Sequence, residues 1–375
     1  MEYSAQQFDI IVIGAGVMGS STAYQTSKRG QKTLLLEQYD FLHHLGSSHG
    51  ESRTIRATYP DDYYTDLVLD SYALWEQAQS EIGYKVYYKA HQFDMGPSDS
   101  ESLKAIIAIC RKKSLPHRVL NSQQVAQQFS GRIQIPENWV GLYLDKGGVI
   151  KPSKAVSMFQ TLALKNGAVL KDNSEVKEIK KTGGENDGVL VVTASGESFR
   201  GKKCVVTVGA WTRKLVKRVS GVELPIQPLE TTVSYWRIKE EHVSDYAIDN
   251  GFPSFASYGD PCIYGTPSFE YPGLIKEWIE ERFSGRVDSS EPVMTQLCMY
   301  SMTPDEDFVL DLLGGEFGKD VVVGGGFSGH GFKMAPAVGT LLADLALTGE
   351  TKGLDLEYFR IGRFSDNPKG NVKHY

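Results

Sequence analysis

The sequence predicts an α/β fold with a parallel sheet, interleaved with a smaller α+β domain that contains a mixed or antiparallel sheet. The chain opens on a β-strand, a glycine-rich turn, a helix and a second strand. A second glycine-rich segment lies between a strand and a helix near the C-terminus. The length of 375 residues is sufficient for two domains of ordinary size.

The composition excludes several classes of protein. With a net charge of −6, the chain lacks the basic surface that nucleic-acid binding requires. It has no apolar run long enough for a membrane helix, and its first residues are polar. The four cysteines are scattered, which argues against both a disulfide framework and a zinc site. We therefore expect a soluble intracellular protein without a bound metal.

The opening βαβ unit carries a dinucleotide-binding motif. Phe8–Ile13 is an apolar, β-branched run typical of a buried strand, and the motif G-x-G-x-x-G follows it at Gly14, Gly16 and Gly19. A helix N-terminus after such a turn favours a pyrophosphate. Glu37 ends the next strand, 18 residues after Gly19, where its carboxylate can accept hydrogen bonds from an adenosine ribose. The motif alone leaves NAD and FAD open.

The remaining elements follow from periodicity and from breaks at glycine and proline. Short strands are predicted between residues 84 and 150, and a strand-rich aromatic region over 226–269. We predict helices at 61–83, 100–114, 152–166, 277–283 and 335–347, and strands at 33–36, 201–209 and 320–323.

Four segments resemble one family in the same order along the chain. HLGSSHGESRTIR (44–56) is similar to the flavin-contacting segment of the sarcosine oxidase and pipecolate oxidase family, and CMY (298–300) to its flavin-attachment motif. GGFSGHGFK (325–333) resembles the C-terminal flavin and substrate motif, and GAW (209–211) is a further family-like segment. The resemblance covers nearly the whole chain and is strongest to plant members.

The resemblance implies a FAD-binding Rossmann-like domain of the GR2 type, formed by residues 1–83, 150–220 and 300–375. Residues 84–149 and 221–299 would then form the substrate domain. The implied activity is the oxidation of a secondary amino acid, either N-methylated or cyclic as in L-pipecolate. Dioxygen would be the electron acceptor and hydrogen peroxide a product.

The same resemblance implies residues that hold the flavin. Cys298 would bind FAD covalently, Arg53 would lie over the flavin, and His49 and Ser52 would contact it. Gly329 and Lys333 belong to the C-terminal flavin motif. An arginine over the ring can stabilise negative charge on the reduced flavin.

On the substrate side, the resemblance assigns the substrate carboxylate to Arg56 and Lys333, because a guanidinium fork and an ammonium are its natural partners. Tyr264 and Tyr300 would line an aromatic pocket that favours the neutral, oxidisable amine. Lys276 would stand beside the flavin and stabilise developing superoxide.

The chain departs from the family pattern after Lys276. The family continues a strand there and then carries an active-site histidine, whereas here Lys276 is followed directly by the charged segment 277–283. No histidine lies between His242 and His330. Two alternatives to an active oxidase therefore stay open: a flavin-binding isoform with impaired activity, and a dehydrogenase that uses another electron acceptor.

Partners and location follow from the same considerations. We expect a monomer that binds a small amino acid and dioxygen, and neither nucleic acid nor membrane. The C-terminal residues do not match an S-K-L-type peroxisomal signal. The sequence therefore leaves the cytoplasm and the peroxisome open.

Overall fold

The computed structural model describes residues 6–183, 187–267, 282–283, 285–371 and 373. Helices α1 to α7 span, in chain order, Val17–Lys28, Asp62–Ile82, Glu101–Lys112, Ser122–Gln128, Pro152–Lys165, Thr212–Ser220 and Ala335–Thr348. Strands β1 to β9 span Gln6–Ile13, Thr33–Leu36, Arg53–Arg56, Tyr87–Pro97, His117–Leu120, Trp139–Ile150, Val169–Lys171, Val176–Lys181 and Val189–Thr193. Strands β10 to β18 span Ser198–Val206, Gln227–Tyr235, Arg237–Ile238, Ser254–Ser257, Ile263–Gly265, Val287–Asp288, Met294–Met302, Val309–Leu312 and Val321–Gly325.

The larger sheet is the parallel one. Its strand order is β17-β18-β10-β1-β2-β7, and the hairpin β8–β9 extends it from β10. Strands β18, β10, β1, β2 and β7 run parallel, whereas β17 is antiparallel. Strand β1 lies between β2 and β10, so the strands that follow it in sequence are added first on one side of it and then on the other. Ligands bind in the crevice at such a change in strand order.

Both faces of this sheet are covered, as a parallel sheet requires. Ile10 and Val12 of β1 point into a core that also contains residues of α1, α2, α5 and α7. Ile11 and Ile13 point the other way, toward α6 and the β8–β9 hairpin. The alternation along one buried strand therefore separates two hydrophobic cores and fixes β1 in the middle layer.

The second sheet is mixed, as predicted. Its order is β14-β13-β4-β6-β3, with β5 also paired to β6. Only the β13–β4 pair is parallel among these. Strands β11 and β16 form a separate antiparallel ribbon along nine residue pairs. This ribbon carries the C-M-Y motif, and β3 carries the two arginines of the 44–56 segment, so both elements bring predicted site residues together.

Region 84–150 differs from its prediction. In place of a series of short strands it holds β4 and β6, of 11 and 12 residues, and an additional helix, α4. A capping box starts α4: Asn121 accepts a hydrogen bond from the backbone N–H of Gln124, whose side chain accepts one from the backbone of Asn121. The helix predicted at 277–283 falls almost wholly outside the described residues. No helix in the described part of the chain is both long enough and apolar enough to cross a bilayer.

Candidate active site

A cavity opens at the carboxyl ends of β1, β2 and β10. It is lined by six of the residues predicted for the site: Gly14, Gly16, Glu37, Arg53, Tyr300 and Gly329. Seven other predicted residues are described but are not part of this lining: Gly19, His49, Ser52, Arg56, Tyr264, Cys298 and Lys333. Lys276 lies outside the described residues.

The glycine motif forms a tight turn and a close helix contact. Gly14 has a φ of +94°, and a β-carbon there would lie 2.5 Å from the carbonyl oxygen of Thr207. At Gly19 a β-carbon would lie 1.8 Å from the carbonyl oxygen of Gly14, so only glycine lets α1 pack against the turn. Helix α1 has no side-chain cap at Gly16, and the N–H of Val17 donates to the Ser48 hydroxyl at 3.0 Å. The N-terminus of α1 thus faces the cavity.

Glu37 is an ionised carboxylate at the edge of the cavity. Its side chain accepts hydrogen bonds from the backbone N–H groups of Ala15 at 2.8 Å and Tyr39 at 3.1 Å. His43 Nε2 lies 3.5 Å from its Oε1. Burial alone would raise the pKa of Glu37, but the hydrogen bonds from His43 and from the two amides outweigh it and lower the pKa. An anion held in this way is ready to accept further hydrogen bonds.

Arg53 joins β3 to the C-M-Y strand. Its Nη2 donates to the Sγ of Cys298 at 3.2 Å and to the carbonyl oxygens of Ser47 and His49 at 3.2 and 3.0 Å. Cys298 itself is buried. The contact places a hydrogen-bond donor and a positive charge beside the sulfur.

His49 is a buried, neutral ring behind the cavity wall. Its Nε2 lies 3.0 Å from the carbonyl oxygen of Gly46, and its Nδ1 lies 2.6 Å from Nε2 of Gln296. The Tyr235 hydroxyl donates to Gln296 at 3.1 Å and extends the chain into the β11–β16 ribbon. Burial lowers the pKa of His49. In this structure His49 therefore anchors the loop that lines the cavity, and its ring nitrogens are both engaged.

Arg56 and Lys333 meet at Tyr59. The Arg56 guanidinium carbon lies 4.9 Å from the centre of the Tyr59 ring, and Lys333 Nζ donates to the Tyr59 hydroxyl at 3.1 Å. Lys333 is only 7% exposed and has no carboxylate partner among the described residues. Its backbone is fixed by the indole N–H of Trp75, which donates to the Lys333 carbonyl at 2.8 Å. Burial and the charges of Arg56 and Arg53 hold the pKa of Lys333 well below its usual value.

The two predicted tyrosines also come together. The hydroxyl oxygens of Tyr264 and Tyr300 are 2.5 Å apart, and Tyr264 is 52% exposed. A β-carbon on Gly329 would lie 2.4 Å from the Tyr300 ring, so the glycine at 329 makes room for it. Ser52 accepts a hydrogen bond from Thr266 at 3.3 Å, which places it beside β14 and away from the cavity lining.

Sequence analysis missed several residues that line the cavity. Ser48 lies within the 44–56 segment, but nothing else in the sequence indicates that it lines the cavity. Lys214 and Arg218 of α6 also line the cavity. Their spacing of four residues, immediately after the 209–211 segment, puts both on one helix face and could have identified them.

The residues present fit FAD. The cavity joins the dinucleotide turn and Glu37 at one end to Arg53 and Tyr300 at the other. The N-terminus of α1, where Gly16 provides no side-chain cap, suits a pyrophosphate, and the Glu37 carboxylate suits a ribose. The second half of a dinucleotide would then extend toward β3 and the strand that carries Cys298.

Comparison with known families agrees with this geometry. The profile of the family described as FAD dependent oxidoreductase matches residues 9–345. The chain belongs to this family. It is 61% identical to the probable sarcosine oxidase of Arabidopsis thaliana, over 100% of this chain and 97% of the relative. It is 36% identical to the peroxisomal sarcosine oxidase of Homo sapiens, over 97% and 98% of the two chains. The predicted family and FAD as its cofactor are thereby confirmed, whereas covalent attachment of the flavin stays a prediction.

Solved structures share the fold. The L-proline dehydrogenase from P. horikoshii superimposes with a TM-score of 0.82 at 23% identity, covering 96% of this chain and 99% of that one. The predicted fold class is confirmed by this similarity. The alignment with the Arabidopsis protein spans 404 positions against 375 residues here, so about 29 residues of the relative have no counterpart.

Proposed function

We propose that this protein oxidises a secondary amino acid, N-methylglycine or a close relative such as L-pipecolate, with dioxygen as the electron acceptor. The substrate loses two electrons at its C–N bond and becomes an imine, which water hydrolyses. Dioxygen takes up the two electrons and two protons and leaves as hydrogen peroxide. FAD, when bound, supplies the electron transfer between substrate and dioxygen.

The observation that carries the proposal is the convergence of Arg56 and Lys333 on Tyr59. Two cations from distant parts of the sequence lie together, next to the strand that also holds Arg53. Burying Lys333 without a carboxylate partner among the described residues has a free-energy cost. A substrate carboxylate offsets that cost by pairing with the ammonium and with the guanidinium.

The tyrosine pair suits the amine end of the same substrate. Tyr264 and Tyr300 present hydroxyls that are already hydrogen-bonded to each other, so the wall they form is largely aromatic. Such a wall replaces water around the amine and disfavours the ammonium form. The neutral amine, whose lone pair is free, is the form that can be oxidised.

For the cofactor, we propose a thioether bond between the Cys298 sulfur and a carbon of FAD. Its formation would replace the S–H bond of Cys298 and one C–H bond of FAD, and dioxygen would take up the two electrons and two protons released. The supporting observation is the hydrogen bond from Arg53 to the Cys298 sulfur, because a thiolate is needed to form a thioether. The neutral His49 and Gln296 hold the adjoining loop in place.

The comparisons do not favour the two alternatives. Both reported relatives are named oxidases, although the Arabidopsis protein has about 29 more aligned residues. The human relative is named as peroxisomal. We propose a monomer that acts in the cytoplasm or the peroxisome.

The test is hydrogen peroxide release by the FAD-loaded protein. N-Methylglycine and L-pipecolate serve as substrates, and N-methylglycinamide, which lacks the carboxylate, serves as the matched control. Peroxide formed from an amino acid but not from the amide supports the proposal. Bound flavin that either substrate bleaches without peroxide points instead to a dehydrogenase, and bound flavin that neither substrate bleaches points to an inactive isoform.

A further inference from the structure

A buried acid stands close to the proposed carboxylate site. Asp94 of β4 is 0% exposed, and its Oδ1 accepts a hydrogen bond from Gln92 Nε2 at 2.6 Å. Gln92 in turn accepts one from the Ser254 hydroxyl at 2.7 Å. The second oxygen of Asp94 is buried and has no well-formed hydrogen bond within the described residues. A buried carboxylate with a spare acceptor calls for a nearby donor.

Thr58 is the hydroxyl that connects this acid to Arg56. It is fully buried, and its Oγ1 accepts a hydrogen bond from Arg56 Nη1 at 3.1 Å. The same Nη1 also donates to the Thr58 carbonyl oxygen. A hydroxyl that accepts from a guanidinium keeps its own proton free for donation. We infer that this proton points to the second oxygen of Asp94, because that oxygen is buried and has no other partner within the described residues. The influence of the Thr58 hydroxyl, which lowers the pKa of Asp94, agrees with this direction.

The charges around Asp94 support the same arrangement. Burial raises the pKa of Asp94, and the charge of Arg56 is the largest influence that opposes this rise. Arg56 also lowers the pKa of Lys333, so the two cations repel each other. An ionised acid near Arg56 offsets part of that repulsion.

We propose that Thr58 and Asp94 are positioning residues for Arg56. Thr58 accepts hydrogen bonds from Nη1 of Arg56, and Asp94 orients the Thr58 hydroxyl by accepting its proton in a hydrogen bond. The Nε and Nη2 groups of Arg56, which have no partner among the described residues, then face the substrate carboxylate. This inference rests on the proposed function, and it concerns an acid and a hydroxyl that lie outside the recognisable sequence motifs.

The test measures binding of two small probes, acetate and acetamide, to the FAD-loaded protein. Binding is followed by the change in the visible absorption of the flavin, so turnover is not needed. Thr58→Val keeps the shape of the side chain but removes the hydroxyl, and we expect acetate affinity to fall about tenfold. Thr58→Ser, which restores the hydroxyl, should return it to the wild-type value. Acetamide affinity should stay unchanged in both.

Asp94→Ala should lower acetate affinity about as much as Thr58→Val does. The double variant should bind acetate no more weakly than either single variant. Ser254→Ala is the matched control, because it alters the same buried cluster without touching Thr58. Equal losses for acetate and acetamide, or additive losses in the double variant, overturn the inference. So does unchanged acetate binding in Thr58→Val. If the wild-type protein itself does not prefer acetate to acetamide, the proposed carboxylate site fails instead.

Discussion

The guanidinium of Arg53 donates a hydrogen bond to the sulfur of Cys298 across 3.2 Å, although 245 residues separate the two in sequence. The contact exists because β3 and the β11–β16 ribbon meet at one end of the cofactor cavity. Arg53 is held there by the carbonyl oxygens of Ser47 and His49 as well. The pairing puts a fixed positive charge beside the thiol that is proposed to become the flavin attachment point.

Replacing Arg53 by glutamine should slow covalent attachment of the flavin. Without the guanidinium the Cys298 sulfur loses its hydrogen bond from Arg53. A loss of about 1.4 kcal/mol of transition-state stabilisation slows the attachment about tenfold. The measurement is the fraction of flavin that remains in the pellet after acid precipitation, followed over time after FAD is added to the flavin-free protein. Arg53→Lys keeps the charge and should stay closer to wild type.

Cys298→Ala is the control that cannot attach the flavin at this position. It should release all of its flavin into the supernatant after acid precipitation. Total bound flavin before precipitation must be matched among the variants, so that weaker binding is not mistaken for slower attachment. Attachment in Arg53→Gln at the wild-type rate would show that the hydrogen bond does not activate the thiol.

Gly19→Ala should abolish FAD binding and destabilise the fold. The new β-carbon would lie 1.8 Å from the Gly14 carbonyl oxygen, a distance that backbone movement must relieve. Gly46→Ala is the matched control, since it lines the same cavity but its nearest atom, on His43, lies 3.7 Å away. Urea unfolding and flavin content of the purified proteins provide the measurement. Equal stability of the two variants would contradict the expectation.

The fold was predictable where the pattern is local. Strand β1, helix α1 and strand β2 each follow from a run of one periodicity ended by glycine or a charge. Helix α4 was missed because its start signal, the Asn121 and Gln124 capping box, is short and lies between strands whose apolar residues dominate the pattern. Pairing partners such as β4 with β13 are set by tertiary packing and leave no local signal.

The candidate site divides in the same way. Glu37 could be placed from its distance to the glycine motif alone. The contact of Arg56 with Thr58 is local in sequence, yet its meaning depends on Asp94, which β4 brings from 38 residues away. A single sequence does not distinguish a buried aspartate on a strand from a solvent-exposed one. The role proposed for Asp94 could therefore be inferred only from the sheet that buries it.

Glu37→Gln should weaken FAD binding and reduce stability above about pH 5, because a buried charge-assisted hydrogen bond contributes about 1.5–3 kcal/mol. Since the folded-state pKa of Glu37 lies below 4.5, the ordinary value for a glutamate side chain, the carboxylate stabilises the fold above that value. The contribution is lost as the pH falls through the folded pKa. The difference in unfolding free energy between wild type and variant should therefore shrink on acidification, as measured by urea unfolding from pH 7 to pH 3. A difference that grows in acid would contradict this sign.

Acetate binding to the FAD-loaded protein should weaken as the pH rises, because Lys333 binds an anion only while protonated. Burial and the charges of Arg56 and Arg53 hold the pKa of Lys333 well below that of a free lysine, so the decline occurs at a pH well below the one at which a free lysine loses its proton. The other groups that face the ammonium are neutral: the Tyr59 hydroxyl accepts from it, and burial lowers the pKa of His330 to about 3.

Two variants separate this origin from a general alkaline loss of structure. Lys333→Met should bind acetate weakly and with no decline over the same range. Arg56→Gln should also bind weakly, but its decline should move to higher pH, since removing the neighbouring cation raises the pKa of Lys333. The visible absorption of the flavin, titrated with acetate at each pH, provides the measurement. If acetate affinity still declined with pH in Lys333→Met, or if the decline moved to lower pH in Arg56→Gln, a group other than Lys333 would be responsible for the pH dependence.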